Sequence, residues 1–286
     1  MRVWCLLAAA FAWAETPAVV VTTSAVTHEP GLPNAGGIAS LYVAGLSVAG
    51  IVAAEGTPLP TSLAGVTVDV CGAAAPLFAV ADLDGYQQVN FQVPWDARFT
   101  SDGSSLRCTV TVRQGSFEGV QLATVRNSVA GDLFFTQDFI GLFQHGAGYA
   151  PVTHDFPARP GEALIVYAAA LGPTQPAVAA GAAAPFTPLA VVPQAHSASA
   201  WRTITLYVDE RPVMPFFAGL APGLVGVYQL NFFVPFETGA GDHRFQLAIG
   251  WCGAFHGSGC QGPTSYTFSN PVTLPVAAVA QAGDSR

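Results

Sequence analysis

The chain of 286 residues has ten basic residues, all of them arginine, against 18 acidic residues, and its formal net charge is -8. Without a cluster of positive charge to follow a phosphate backbone, we expect no nucleic-acid partner. Hydrophobic residues make up 51% of the chain and charged residues 10%. This composition excludes a disordered, self-solvating chain and predicts folding driven by burial of apolar surface.

The N-terminus has the pattern of a secretory signal peptide. Arg2 precedes an apolar run that ends near Phe11 and is too short to cross a bilayer. Residues 12–14 read AWA, the small-x-small pattern of a cleavage site, so we predict a signal peptide over 1–14. Glycine and proline interrupt all later apolar runs, so we expect no membrane span. The mature protein is therefore predicted to be secreted or periplasmic.

Four cysteines follow the predicted cleavage site, and four cysteines allow three disulfide pairings. In an exported chain we favour Cys71 with Cys108 and Cys252 with Cys260, because each pair then stays within one half of the chain. A zinc site is the alternative, but His256 is the sole other candidate ligand in the Cys252 to Cys260 turn, and zinc needs four ligands. We predict no metal and no cofactor.

The most informative feature of the sequence is an internal repeat. Three segments recur in the same order: residues 66–70, 75–79 and 88–94 (QVNFQVP) match residues 204–208, 214–218 and 229–235 (QLNFFVP). In the first half Val89, Phe91 and Val93 alternate with polar residues, which is the period of a half-buried strand. A duplication explains the pattern.

Short alternating runs separated by glycine and proline predict an all-β protein. Two units of about 100 residues favour two tandem immunoglobulin-like β-sandwich domains. The predicted organisation is a signal peptide (1–14), an N-terminal extension (15–34), a first sandwich (35–130), a connecting segment (131–157), a second sandwich (158–277) and a tail (278–286). Residues 174–199 are rich in alanine and proline, so we predict that they form an extended insertion in the second sandwich.

Four segments carry a resemblance to a known family: residues 158–167 (ARPGEALIVY), 171–173 (LGP), 218–231 (AGLAPGLVGVYQLN) and 269–272 (SNPV). In these the chain resembles the Solibacter-type uncharacterised C-terminal domain family. The resemblance implies an exported protein with immunoglobulin-like repeats, and it carries no assigned activity. Members of the family often carry this domain at the end of larger, repeat-bearing chains. The sequence here departs from that arrangement because it has almost nothing besides the domain.

No pattern predicts a catalytic site. The nucleophile motif G-x-S-x-G is absent, and Ser258 stands in the fragment closest to it, within the turn between Cys252 and Cys260. The six histidines are scattered singly through the sequence, without the spacing of a zinc hydrolase. Asp84-Gly85 favours a tight hairpin turn over a calcium loop.

Aromatic residues give the one positive functional signal, because exposed aromatic rings stack on sugars. Trp95 is matched by Phe236 in the repeat, so we predict that both serve packing. Trp201 and Trp251 have no aromatic counterpart in the repeat and, with Tyr266, are the candidate ligand contacts. The alternative is that the two tryptophans cover edges of the hydrophobic core. The glycine-rich loop over residues 219–226 forms either a contact patch or a segment tucked between the domains.

The leading hypothesis is an exported, non-catalytic β-sandwich module for adhesion, surface assembly or scaffolding. The alternative is a carbohydrate-binding module that uses the loop tryptophans. Its partners would accordingly be another surface protein or a polysaccharide. An unrecognised hydrolase is the third hypothesis, and it would require two acids, or a serine and a histidine, to meet in one cleft.

Overall fold

A computed structural model describes residues 20–126, 130–193, 202–251 and 265–278, and these residues form strands and loops throughout. Residues 20–126 contain the following strands: β1 (Val20–Ser24), β2 (Ile38–Val43), β3 (Ile51–Ala53), β4 (Ser62–Leu63), β5 (Val66–Val70), β6 (Ala73–Ala74), β7 (Leu77–Asp82), β8 (Gln87–Gln92), β9 (Thr100–Ser101), β10 (Leu106–Gln114) and β11 (Phe117–Val125). The later ranges contain β12 (Asp132–Leu133), β13 (Phe143–His145), β14 (Ala163–Ala169), β15 (Arg202–Val208), β16 (Arg211–Val213), β17 (Phe217–Leu220), β18 (Val227–Phe233), β19 (Gly241–Trp251), β20 (Ser265–Phe268) and β21 (Val272–Val276).

Each half is a two-layer antiparallel sandwich. In the first, a sheet of order β1-β2-β8-β7-β3 faces a sheet of order β11-β10-β5-β4, to which β6 and β9 are attached. In the second, a sheet of order β12-β14-β18-β17 with β13 faces a sheet of order β16-β15-β19-β20, and β21 pairs with β19. The protein is therefore all-β and consists of two tandem immunoglobulin-like β-sandwiches, as the sequence predicted.

The internal repeat is a repeat of strand positions. The central β8 lies between β2 and β7, and the central β18 lies between β14 and β17. In the opposite sheets β5 pairs with β10 and β6, as β15 pairs with β19 and β16. The segments matched in sequence thus occupy equivalent places in the two sandwiches, and both copies of the QxNFxVP motif form central strands.

Alternation of buried and exposed side chains gives each sandwich its own core. In β8 the side chains of Val89 and Phe91 are fully buried, and in β18 those of Leu230 and Phe232 are fully buried. One hydrophobic cluster is drawn from residues 20–125 and another from residues 130–276. Two separate cores are what a pair of duplicated sandwiches requires, since each sandwich buries one face of each sheet.

Both halves place a large aromatic ring over a left-handed glycine. Gly36 has φ 81° and Gly161 has φ 79°. A Cβ at Gly36 would lie 2.1 Å from the indole of Trp95, and one at Gly161 would lie 2.3 Å from the ring of Phe236. The glycines are required by conformation and by space. Trp95 is partly buried in this contact, as its predicted packing role requires, whereas Phe236 is 79% exposed and packs on the backbone at Gly161.

The predicted disulfide between Cys71 and Cys108 is present and joins β10 to the turn that follows β5. The Cys108 side chain is fully buried in the first core. Cys252 and Cys260 lie outside the described residues, as do the signal peptide over 1–14 and most of the tail over 278–286.

Two segments predicted to lie outside the sandwiches contribute strands to them. From residue 20 onward the segment predicted as an extension, 15–34, supplies β1 and the fully buried Leu32. The segment predicted as a connection, 131–157, supplies β12 and β13, both paired with β14. The described ranges contain no helix with the length and hydrophobicity that a bilayer crossing requires.

Candidate functional site

Of the three predicted ligand contacts, one side chain can be described. Trp201 lies outside the described residues. Trp251 is the last residue of β19, where its backbone stands opposite Ser265, and its side chain lies outside the described part of the chain. Tyr266 lies in β20 and is 44% exposed.

Tyr266 belongs to a row of aromatic side chains on the outer face of the second sandwich, which we call the aromatic row: Tyr207, Tyr266 and Phe268. The rings of Tyr266 and Phe268 stack with centroids 6.3 Å apart, and the ring of Phe268 lies 5.8 Å from that of Tyr207. Tyr207 faces outward because its neighbours Leu206 and Val208 are buried in the core.

Small residues leave room for this row. Ala248 stands opposite Phe268 and Gly250 stands opposite Tyr266 in the β19–β20 ladder. Burial, and secondarily the charge that Tyr266 acquires when it ionises, raise the pKa of Tyr207. Its phenol, like that of an ordinary tyrosine, is protonated at neutral pH and able to donate a hydrogen bond. The row offers flat apolar area with phenolic hydroxyls, which suits stacking against an uncharged ring.

The second functional feature is the junction between the sandwiches, and its first part is a buried ion pair. Nη1 of Arg126, at the end of β11, lies 3.0 Å from both carboxylate oxygens of Asp132, the first residue of β12. The hydroxyl of Ser24 donates to Asp132 at 2.5 Å, and Arg126 also contacts Glu29. The side chains of Arg126 and Asp132 are only 9% and 3% exposed, so the pair tightly joins the two halves.

The predicted insertion over 174–199 supplies the second part of the junction. Gly181 donates its N–H to Oε1 of Gln92 at 2.7 Å, and its carbonyl accepts the N–H of Leu59 at 2.8 Å. The amide of the buried Gln92 in turn donates to the carbonyl of Gly36 at 3.1 Å. Residues 174–193 therefore attach the second sandwich to the first through the main chain of Gly181, which bonds to one side chain and to one main-chain N–H, in addition to extending it as a loop.

The loop over 219–226 lies against the same junction. Gly223 donates its N–H to Ala184 of the insertion at 2.9 Å. A Cβ at Gly226 would lie 3.0 Å from the amide nitrogen of Gln92 and 3.3 Å from the carbonyl of Gly36. Gly226 is buried at the junction, as in the hypothesis that the loop is tucked between the two domains, whereas Leu224 at the tip of the loop is 46% exposed.

Three histidines that are isolated in sequence are paired with carboxylates in space: His145 with Glu162 at 2.6 Å, His154 with Asp242 at 3.0 Å and His243 with Asp209 at 2.8 Å. The other ring nitrogen of His145 lies 3.3 Å from the carbonyl of Phe156, and that of His243 lies 3.0 Å from the carbonyl of Gly239. Both nitrogens of these two rings thus face oxygen acceptors. The contacts of these two rings are with carboxylate and carbonyl oxygens, not with a hydroxyl or thiol that could act as a nucleophile.

Asp209 and the Asp84-Gly85 pair have structural roles. The hydrogen bond from His243 lowers the pKa of Asp209, with the backbone N–H of Arg244 adding to it against the opposing effect of burial. Asp84 and Gly85 both have positive φ, 50° and 118°, which is the conformation of a tight hairpin turn. Within the described ranges no group of three or more His, Cys, Asp or Glu side chains is placed to hold a metal ion.

No family model matches the chain, and no curated protein sequence matches it. Among solved structures, a titin tandem of immunoglobulin domains is 10% identical, with a TM-score of 0.19, over 87% of this chain and 91% of that one. A second titin tandem is 9% identical, with a TM-score of 0.21, over 87% of this chain and 62% of that one. An endo-fucoidan hydrolase of glycoside hydrolase family 107 is 10% identical, with a TM-score of 0.20, over 75% of this chain and 24% of that one. With TM-scores this low, the fold assignment rests on the strand order and the two cores described above.

Proposed function

We propose that the chain is an exported, non-catalytic β-sandwich module that serves in adhesion, surface assembly or scaffolding. The observation that carries this proposal is the junction, in which a buried ion pair and the docked insertion hold the two sandwiches at a fixed spacing. A scaffold needs such a spacing, because a contact surface is useful in assembly when its position relative to the next one is constant.

Two further observations support the location and the lack of catalysis. The disulfide between Cys71 and Cys108 fits an oxidising compartment, and so does the resemblance to the exported Solibacter-type family. The rings of His145 and His243 are occupied on both nitrogens, so the two most buried His–carboxylate pairs are bonded as structural links.

Export is tested by fractionating cells that express the full chain and sequencing the recovered protein. We expect it in the extracytoplasmic fraction, beginning at Glu15, with Cys71 and Cys108 oxidised. Recovery from the cytoplasm with an intact Met1 and free thiols would contradict the proposal.

Fixed spacing is tested by small-angle X-ray scattering of the mature chain. We expect one narrow distribution of interatomic distances for the wild type and a broader one for a junction variant that combines Gln92→Ala with Arg126→Ala. Arg211→Ala, which removes an exposed ion pair with Glu237, is the matched control and should scatter like the wild type. A wild type that already scatters as two independently moving bodies would refute the role of the junction.

The second candidate function is carbohydrate binding, and the aromatic row favours it. We expect affinity electrophoresis in gels containing neutral polysaccharides to show retardation that Tyr266→Ala reduces. Tyr86→Ala is the control, since Tyr86 has nearly the same exposure, 47% against 44%, on the other sandwich. If no polysaccharide retards the wild type, carbohydrate binding is refuted. The prediction that Trp201 and Trp251 contact a carbohydrate would then fail as well.

A further inference from the structure

The edge of the first sandwich exposes backbone groups that have no partner among the described residues. The hairpin between β10 and β11 is closed by Gln114 opposite Phe117, so odd-numbered residues of β11 bond to β10 and even-numbered residues point outward. The carbonyl of Thr124 confirms this direction, because it accepts the N–H of Leu32 at 2.8 Å. The N–H and C=O groups of Glu118, Val120 and Leu122 face outward in the same way, and no described residue forms a hydrogen bond with them.

This edge lacks proline and bulges, which are two of the features by which sheets prevent edge-to-edge contact, and its one charged side chain is that of Glu118. Residues 117–125 contain no proline and no lysine, and the ladder with β10 runs without a bulge. The side chains of Val120 and Leu122 are 52% and 64% exposed. A long, regular edge strand with exposed aliphatic side chains is a template for pairing with another strand.

The second sandwich shows the same position covered. Thr273 stands three residues before the end of β21, as Leu122 stands three residues before the end of β11. Thr273 accepts the N–H of Gly141 at 3.0 Å and donates its own N–H to the carbonyl of Phe139 at 2.8 Å. Further along, Ala158 bonds in the same manner beside Val276. The first sandwich has a counterpart of the Ala158 contact, because Leu32 bonds beside Val125. The two halves therefore differ at the level of Thr273, which is covered in the second sandwich, whereas the equivalent Leu122 is bare in the first.

We infer that β11 is the surface through which two copies of this chain associate, with the strands antiparallel and Val120 opposite the partner's Val120. In that register Glu118 stands opposite the partner's Leu122, and every unpaired group of the three outward residues finds a main-chain partner. Glu118 is already neutralised by Arg113 at 2.7 Å, so the two copies bring no bare like charges together. The contact is its own complement and closes on a two-fold axis.

The inference rests on the proposed function, since it specifies how a scaffolding module would assemble. Three residues on each side bury much less than the roughly 1,600 Å² of a standard interface, so one such contact is weak. On a surface that holds many copies, weak contacts add by avidity.

Sedimentation velocity of the mature chain, with its disulfides intact, tests the inference from micromolar to millimolar concentration. We expect a concentration-dependent dimer that Val120→Pro abolishes, because proline removes an outward N–H that the monomer does not use. Ile51→Pro is the matched control. Ile51 is an exposed residue of the short edge strand β3, and the bonds of Ala54 to Phe78 and of Asp82 to Gly50 place its N–H outward too.

A second measurement keeps the test independent of how the proline variant folds. Under mild oxidation Val120→Cys should form a disulfide-linked dimer, because this residue faces its own copy across the two-fold axis at a Cα separation of about 5.5 Å. Leu122→Cys should remain monomeric. A wild type that is monomeric at every concentration would overturn the inference, and the occupant of the edge would then be another protein or residues 15–19 of this chain. Equal cross-linking of the two cysteine variants would also overturn it. Neither result would bear on export or on the fixed spacing of the sandwiches, which are measured separately.

Discussion

Removal of the guanidinium of Arg126 should cost far more stability than removal of an exposed one. In Arg126→Ala the carboxylate of Asp132, 3% exposed, would retain, among the described residues, only the hydroxyl of Ser24 as a side-chain donor. Breaking a buried ion pair by deleting one partner costs about 3–5 kcal/mol, since the remaining charge is buried without compensation. In a cooperative unit of this size such a loss lowers the midpoint of thermal unfolding by about 10 °C.

The assay is urea unfolding followed by tryptophan fluorescence, with calorimetry for the midpoint. Arg113→Ala is the control, because its ion pair with Glu118 is half exposed and should contribute about 0.5 kcal/mol. Combining Arg126→Met with Asp132→Leu should recover most of the loss, because an apolar pair leaves no buried charge behind. If Arg126→Ala is no less stable than Arg113→Ala, the argument from burial at the junction fails.

Three other predictions concern the fold. Gly36→Ala should destabilise the first sandwich by more than 1 kcal/mol, because it adds a Cβ at positive φ within 2.1 Å of an indole, whereas Gly56→Ala, which meets nothing within 4 Å, should be nearly neutral in the same denaturation series. Removing the disulfide by Cys71→Ser with Cys108→Ala should cost about 4 kcal/mol for a separation of 37 residues, and denaturation with and without reductant measures it; an unchanged midpoint would contradict it. Hydrogen bonds lower the pKa of Asp209 in the folded state. The stabilisation that this residue gives to the fold is therefore present above its unfolded pKa and is lost as the pH falls through its folded pKa. Asp209→Asn should show a shallower loss of stability below about pH 4 in acid titrations.

The sequence predicted the elements whose signal is local. Residues 88–94 and 229–235 alternate with period two and are flanked by glycine and proline, so the strands and the repeat could be predicted from the sequence. Strand β1 was missed because its residues read VVTTS, and threonine and serine obscure an alternation that burial in the structure makes clear. The short β12 has too few residues to show any period.

Contacts between distant parts of the chain carried no such signal. The histidines appear isolated in sequence, yet His154 and Asp242 meet across 88 positions. The alanine- and proline-rich insertion was predicted to be an extended loop, but its bond from Gly181 to Gln92 spans 89 positions and depends on how the two sandwiches are placed. Of the candidate contacts, Tyr266 was predicted from the sequence and is an exposed ring. Its neighbours Tyr207 and Phe268 were not predicted, because strand pairing brings the three rings together.

The bond between Gln92 and the insertion explains where the two copies of the repeated motif differ. QVNFQVP and QLNFFVP keep five of seven letters, and valine against leucine is a change of size alone. The other change alters the chemistry of the side chain, because Gln92 in the first copy corresponds to Phe233 in the second. The side chain of phenylalanine has no oxygen to accept the N–H of Gly181. The two halves are therefore complementary to each other, because a chain built from two second halves would lack the amide and one built from two first halves would lack the loop.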